Sequence, residues 1–169
     1  RYNVMLKDDK TYPWIRITNE PFPRLIVTRR VEDDGSIYFG PYTSGVVLKA
    51  MLDLIRSLYP LRTCSLKLTP KSIAEGKFKT CLEYQLGNCL APCVGNQTQE
   101  DYDNNISHII ELLKGNFQKI KRTMRTRMNQ LAKEYRFEEA QALKVKLEML
   151  ERYQAKSSIV SPSLVNLDV

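Results

Sequence analysis

Long apolar runs are missing from this chain of 169 residues. No stretch approaches the roughly 18 to 20 residues that a membrane-crossing helix needs, so a helical membrane span is excluded. The opening residues Arg1-Tyr2-Asn3-Val4-Met5-Leu6-Lys7-Asp8-Asp9 lack the apolar core of a secretion signal, and the expected location is the cytoplasm. Histidine is nearly absent. His108 is the only one, set beside Ile109 and Ile110 in a helical pattern, so a Ser-His-Asp or Cys-His arrangement would rest on that residue alone. Glycine is scarce, and its 7 residues are scattered singly, which leaves no phosphate-cradling loop and no nucleotide to expect. Asp8 and Asp9 are adjacent, which turns their side chains apart, and no third carboxylate stands at a spacing that suggests a two-metal site. The residues point to no active site.

What the chain has is enough apolar surface for a core, 43% of residues, and a net charge of +7. An acidic partner such as nucleic acid fits that charge. The excess is spread along the chain, but Lys119, Lys121, Arg122, Arg125 and Arg127 fall in one stretch without an acid. That stretch is a candidate phosphate-contacting surface, the alternative being a solvated helix face.

Periodicity divides the chain. Tyr12 to Thr18 and Leu25 to Val31 are rich in β-branched and aromatic residues and read as strands. Asp34-Gly35 predicts a tight hairpin that pairs Arg29 to Glu32 with Ser36 to Phe39, with Asp33 and Asp34 as turn acids. Leu48, Met51, Leu52, Ile55 and Leu58 follow one helical face, capped by Thr43 or Ser44 and stopped by Pro60. Between Pro60 and Thr98 periodicity fades, and a segment that cannot build a core by period must be held by something else. From Thr98 the helical spacing returns, with a break expected at Gly115-Asn116 and an antiparallel fold-back at Tyr135-Arg136-Phe137. The expected class is α+β: a small antiparallel sheet with a helix over 1–60, a Cys-rich irregular segment over 61–98, a helical region over 99–155 whose hairpin occupies about 124–155, and a linker over 156–169.

The segment between Pro60 and Thr98 holds Cys64, Cys81, Cys89 and Cys93, separated by sixteen, seven and three residues. In a reducing compartment such a group suits metal or cluster ligation better than disulfides. Four thiolates can close a zinc site or a four-iron, four-sulfur (4Fe-4S) cluster. With no Cys-x-x-Cys knuckle the spacing favours the cluster, leaving zinc, an empty site, or four buried thiols acting as small apolar residues as alternatives.

Several stretches resemble one family, the bacterial UvrC excinucleases of nucleotide excision DNA repair. The residues that carry the resemblance are Tyr2 to Pro13, Tyr38-Phe39-Gly40-Pro41-Tyr42, Pro60-Leu61-Arg62-Thr63-Cys64, and most specifically Cys81-Leu82-Glu83-Tyr84-Gln85-Leu86-Gly87-Asn88-Cys89-Leu90-Ala91-Pro92-Cys93-Val94-Gly95. Met128 to Arg152 resembles the UVR motif, a helical hairpin that pairs with a similar hairpin of the partner protein UvrB. Phe137-Glu138-Glu139-Ala140-Gln141-Ala142-Leu143-Lys144-Val145 departs from the paired alanines and Leu-Arg-Asp that are commoner in the family, while keeping the apolar face.

The resemblance implies a segment of a longer protein, lying between a GIY-YIG nuclease that cuts 3′ of a lesion and an RNase H-like nuclease that cuts 5′. Asn3 would be a remnant of the first nuclease site, without catalytic partners. The implied role is a non-catalytic scaffold that binds UvrB and contributes to DNA binding, with two copies pairing through the hairpin when UvrB is absent. Tyr135, Phe137, Ala140, Leu143, Leu147 and Leu150 are the expected partner-binding residues. The alternatives are that this face packs on the Cys-rich segment of its own chain, and that the whole is a metal- or cluster-containing RNA-binding module.

Overall fold

The computed structural model describes residues 12–160. Asn3 therefore lies outside the described residues, as do most of the residues read as a C-terminal linker. The chain is α+β, with a three-stranded antiparallel sheet followed by helices. It divides into two compact units, one made of the chain through Lys49 together with Leu61–Gln99, the other of Ala50–Pro60 together with Glu100 onward.

In the first unit, β1 (Trp14–Ile17) is the central strand, with β2 (Leu25–Thr28) on one edge and β3 (Ile37–Phe39) on the other. Ile15 pairs with both Val27 and Phe39, and Ile15 and Ile17, two residues apart and so on one face, are buried. The expected pairing of Arg29–Glu32 with Ser36–Phe39 around Asp34-Gly35 is not formed: β3 pairs with β1 instead. The turn itself is present, with Gly35 at a φ of 76° and Asp34 Oδ1 accepting from the Ser36 amide at 3.0 Å. Asp34 and, ahead of the turn, Glu32 are taken by β1. Arg16 binds Asp34, reaches Glu32 at 3.1 Å and donates to Ser36 Oγ at 3.1 Å, while the Asn19 side chain donates to the Asp34 carbonyl at 3.2 Å. A Cβ on residue 35 would sit 2.6 Å from Asn19 Nδ2, so a larger residue here would be strained at this φ and would have to displace the Asn19 side chain.

Helix α1 (Gly45–Leu58) begins at Ser44, whose hydroxyl accepts from the Val47 amide at 3.4 Å, and it ends before Pro60. Its predicted face of Leu48, Met51, Leu52, Ile55 and Leu58 is the face that is buried. The Cys-rich segment carries more order than its lack of period suggests. It contains α2 (Pro70–Ala74), opened by a Thr69–Ser72 capping box, α3 (Leu82–Gln85), and a single 3₁₀ turn at Pro92–Val94.

What holds that segment is a buried cation. The side chain of Arg62 is 1% exposed and meets Glu20 Oε2 at 2.8 Å. Its Nε donates to the Phe22 carbonyl at 2.6 Å, and Nη1 donates to the carbonyls of Cys64 at 3.1 Å and Leu66 at 2.8 Å. The planar guanidinium thus ties the β1–β2 turn to the start of the Cys-rich segment, a fixed fork of donors that lysine cannot reproduce. Burial by itself would raise the Glu20 carboxyl's pKa, but hydrogen bonds from Arg24 and Thr18 and the charge of Arg62 outweigh it and hold the group below its ordinary value.

In the second unit, α4 (Gln99–Leu113) buries Tyr102, Ile106, Ile109 and Leu112, and His108 packs its ring 5.8 Å from that of Tyr59. Gly115, at a φ of 82°, ends the helix as expected. Asn116 stands at the cap position of α5 (Phe117–Lys133) but does not cap it, its side chain donating back to Glu111 at 2.9 Å. Tyr135 turns the chain at a φ of 60° into α6 (Phe137–Val160), which packs along α5 and continues into the stretch read as linker.

Removing the guanidinium leaves the carbonyls of Phe22, Cys64 and Leu66 without this donor and takes one of its two cations from Glu20, so Arg62→Leu is expected to destabilise the first unit by about 3 kcal/mol. Urea unfolding followed by the fluorescence of Trp14, the single tryptophan, measures this, and an unchanged midpoint would contradict the assignment. Because the Glu20 pKa is depressed on folding, its contribution is present above the ordinary glutamate value of 4.5 and is lost as pH falls through the lower folded value. Glu20→Gln is therefore expected to flatten the acid-side fall of the same midpoint.

Candidate functional site

All four cysteines are free thiols, with Cys81 exposed at the start of α3, Cys64 half-buried, and Cys89 and Cys93 buried. Burial first, and then the charges of the neighbouring thiolates, push the thiol pKa values of Cys89 and Cys93 up. Among the described residues, however, no three Cys, His, Asp or Glu side chains are grouped so as to hold a metal ion. The 4Fe-4S cluster expected at Cys64, Cys81, Cys89 and Cys93 is therefore corrected, and so are its zinc and empty-site alternatives. The segment does have a holding agent, but that agent is the Arg62 network described above, helped by the packing of α2 on the 3₁₀ turn.

The α5–α6 hairpin separates the expected partner-binding residues into two kinds. Ala140, Leu147 and Leu150 are buried, as are Ile120, Met124 and Leu131 on α5, so these side chains form the seam between the two helices. Leu143 is half-buried. Tyr135 and Phe137 are the exposed members, at 82% and 62%, with their rings in an edge-to-face contact 6.1 Å apart. Between them Arg136 grips both Glu139 carboxylate oxygens at 2.7 Å and turns to Glu134 at 3.4 Å, which fixes the bend that displays the two rings. At the other end of the hairpin Phe117 stacks on Tyr153 at 5.9 Å.

A second apolar stripe does not stand out in the sequence. Val145 and Met149 are exposed, and with Ala142 they lie on the side of α6 opposite Leu143, Leu147 and Leu150. Glu138, Gln141 and Arg152 lie on the same side, so the stripe is short and set among polar residues, which the search for a single periodic face conceals.

Of the five candidate DNA-binding cations, two have acidic partners: Lys119 reaches Glu111 at 3.1 Å and Arg125 reaches Glu151 at 2.7 Å. Arg122 and Arg127 are exposed and Lys121 is half-buried, none of them in an ion pair among the described residues. Shallow grooves on α5 are lined by Gln118, Lys119, Arg122 and Arg125 and by Arg122, Thr123, Thr126, Arg127 and Gln130.

Thiol reactivity follows from the burial pattern. Cys81 is expected to react first with Ellman's reagent at mildly alkaline pH, and Cys89 and Cys93 clearly later. Mass spectrometry of the labelled chain over time checks the order, and simultaneous labelling of all four would contradict it.

Comparison with known proteins places these features in a family. A family model described as the UvrC/Cho excinuclease, middle domain, matches residues 12–112. A UvrABC system protein C from Christiangramia forsetii is 53% identical over 169 residues, 100% of this chain and 28% of that protein. Proteins of the same name from Bacteroides fragilis and Flavobacterium johnsoniae are 54% and 52% identical, again over 100% of this chain and 28% of theirs. No solved structure matches the chain. It thus spans about 28% of the length of the curated relatives it matches, and on the strength of the matched region and these identities the chain belongs to the UvrC/Cho excinuclease family, whose middle domain it carries.

Proposed function

We propose that this chain is the central, non-catalytic scaffold of a cytoplasmic excision-repair nuclease, docking UvrB through its helical hairpin and adding affinity for DNA. The observation that carries the reading is the paired exposure of Tyr135 and Phe137 at the fold-back, held by the Arg136–Glu139 ion pair. The large exposed aromatics at the bend, and separately the exposed Val145 and Met149 further along α6, are apolar surface that a two-helix unit does not cover by itself. A second hairpin laid against it buries that surface in a four-helix arrangement. In this reading Ala140, Leu147 and Leu150 support the site from within the seam, and without UvrB two copies of the chain pair through the same surface.

Aromatic anchors carry a large share of such binding energy, so Phe137→Ala is expected to weaken UvrB binding by about 2 kcal/mol, roughly thirtyfold in Kd. Helix content should stay at the parent level, because the ring is mostly in solvent. Titration calorimetry with purified UvrB, paired with circular dichroism, measures both. Equal affinity of parent and variant would withdraw the docking assignment.

A further inference from the structure

Helix α5, with the sequence FQKIKRTMRTRMNQLAK, carries six cations and no acid. Ile120, Met124 and Leu131 are buried, which turns the opposite side of the helix to solvent. At about 100° per residue that outer side carries Lys119, Arg122, Thr126 and Lys133. Arg122 and Lys133 are exposed and make no ion pair among the described residues. The nearby acids are already engaged: Glu111 by Lys119, Glu151 by Arg125, and Glu134 by Gln130 and Arg136. Arg122 also borders both shallow grooves of the helix, so a ligand in either meets an unpaired guanidinium.

We propose that this outer face of α5, centred on Arg122 and Lys133, seats the sugar-phosphate backbone of duplex DNA without reading its sequence. The inference rests on the DNA-binding part of the function proposed above and specifies where the duplex lies. From Lys119 to Lys133 the row is about 21 Å long at 1.5 Å per residue, the axial length of about six base pairs at 3.4 Å. Duplex is favoured over single strands because the face offers no ring for bases to stack on. Phe117, the aromatic of α5, is half-buried and already stacked on Tyr153. Of the five cations singled out by sequence density, Arg125 is held by Glu151, and Lys121 lies toward the flank of the seam. Lys133, outside that dense stretch, belongs to the face by its place on the helix.

The test uses the whole chain and a fluorescent, undamaged duplex of about 20 base pairs, with anisotropy titrations across a range of KCl concentrations. At about 0.9 per phosphate contact, Arg122→Gln with Lys133→Gln is expected to weaken binding and lower the salt slope by about 1.8. Lys49→Gln with Lys79→Gln removes the same charge from exposed positions elsewhere and is expected to keep the parent slope. Equal slopes for the two double variants would overturn the proposal, since net charge alone would then explain the affinity. Tighter binding of single-stranded DNA or folded RNA than of the duplex would overturn it as well. UvrB affinity, measured on the same proteins, is expected to stay at the parent level in both variants. Parent-level UvrB binding with an unaltered salt slope in the α5 variant would remove this face while leaving the docking role of the hairpin standing.

Discussion

A single buried guanidinium organises the part of this chain that has no hydrophobic period of its own. Arg62 is 1% exposed, and it joins the Glu20 carboxylate, the Phe22 carbonyl and the carbonyls of Cys64 and Leu66 in one plane of donors. A charge taken this far from water is tolerated only when its hydrogen bonds are satisfied. The β1–β2 turn and the entry to the Cys-rich segment are therefore bound to one arrangement, because separating them would strand the charge. Phe22 at a φ of 55° presents its carbonyl from a left-handed turn, and the Thr18 hydroxyl and Arg24 complete the ring around Glu20. The cysteines begin at this constraint, with Arg62 holding the Cys64 and Leu66 carbonyls, and among the described residues their side chains do not group as a metal site.

The hairpin is built on the opposite principle. Its seam is apolar and periodic, and its polar residues lie at the ends and outer faces, where ion pairs such as Arg136–Glu139 and Arg125–Glu151 set geometry more than stability. This division leaves three distinct surfaces on two helices: the aromatic bend, the outer stripe of α6 and the cationic outer face of α5. A partner hairpin and a phosphate backbone ask for different chemistry, and the two roles proposed above fall on different surfaces, Phe137 at the bend and Arg122 on the outer face of α5.

The helices were legible because their signals are local and repeated. The buried faces of α1, α4 and α5 follow apolar spacing of three and four, and Gly115 and Tyr135-Arg136 mark the ends where chain direction changes. The sheet was less legible. Asp34-Gly35 reads correctly as a turn, but the partner of the following strand was decided by Arg16, which captures Asp34 and Glu32 from across the loop. Arg62 could not be singled out as a buried residue, since one basic residue in an aperiodic segment looks like any solvated one. Four cysteines, by contrast, suggested a ligand set that the geometry does not assemble. At the hairpin, spacing identified which residues of α6 are apolar, but not that Leu147 and Leu150 would be covered by α5 while Val145 and Met149 stayed in solvent. Periodicity reports a face; only packing reports what covers it.

Under the function proposed above, the hairpin docks UvrB and the Arg62-held segment takes no part in that contact. Hydrogen–deuterium exchange of the chain, alone and saturated with UvrB, tests this most directly. The account predicts added protection in peptides from Tyr135 through Met149 and none in peptides covering Arg62 to Gly95. Protection confined to the Cys-rich segment, with the hairpin unchanged, would contradict it.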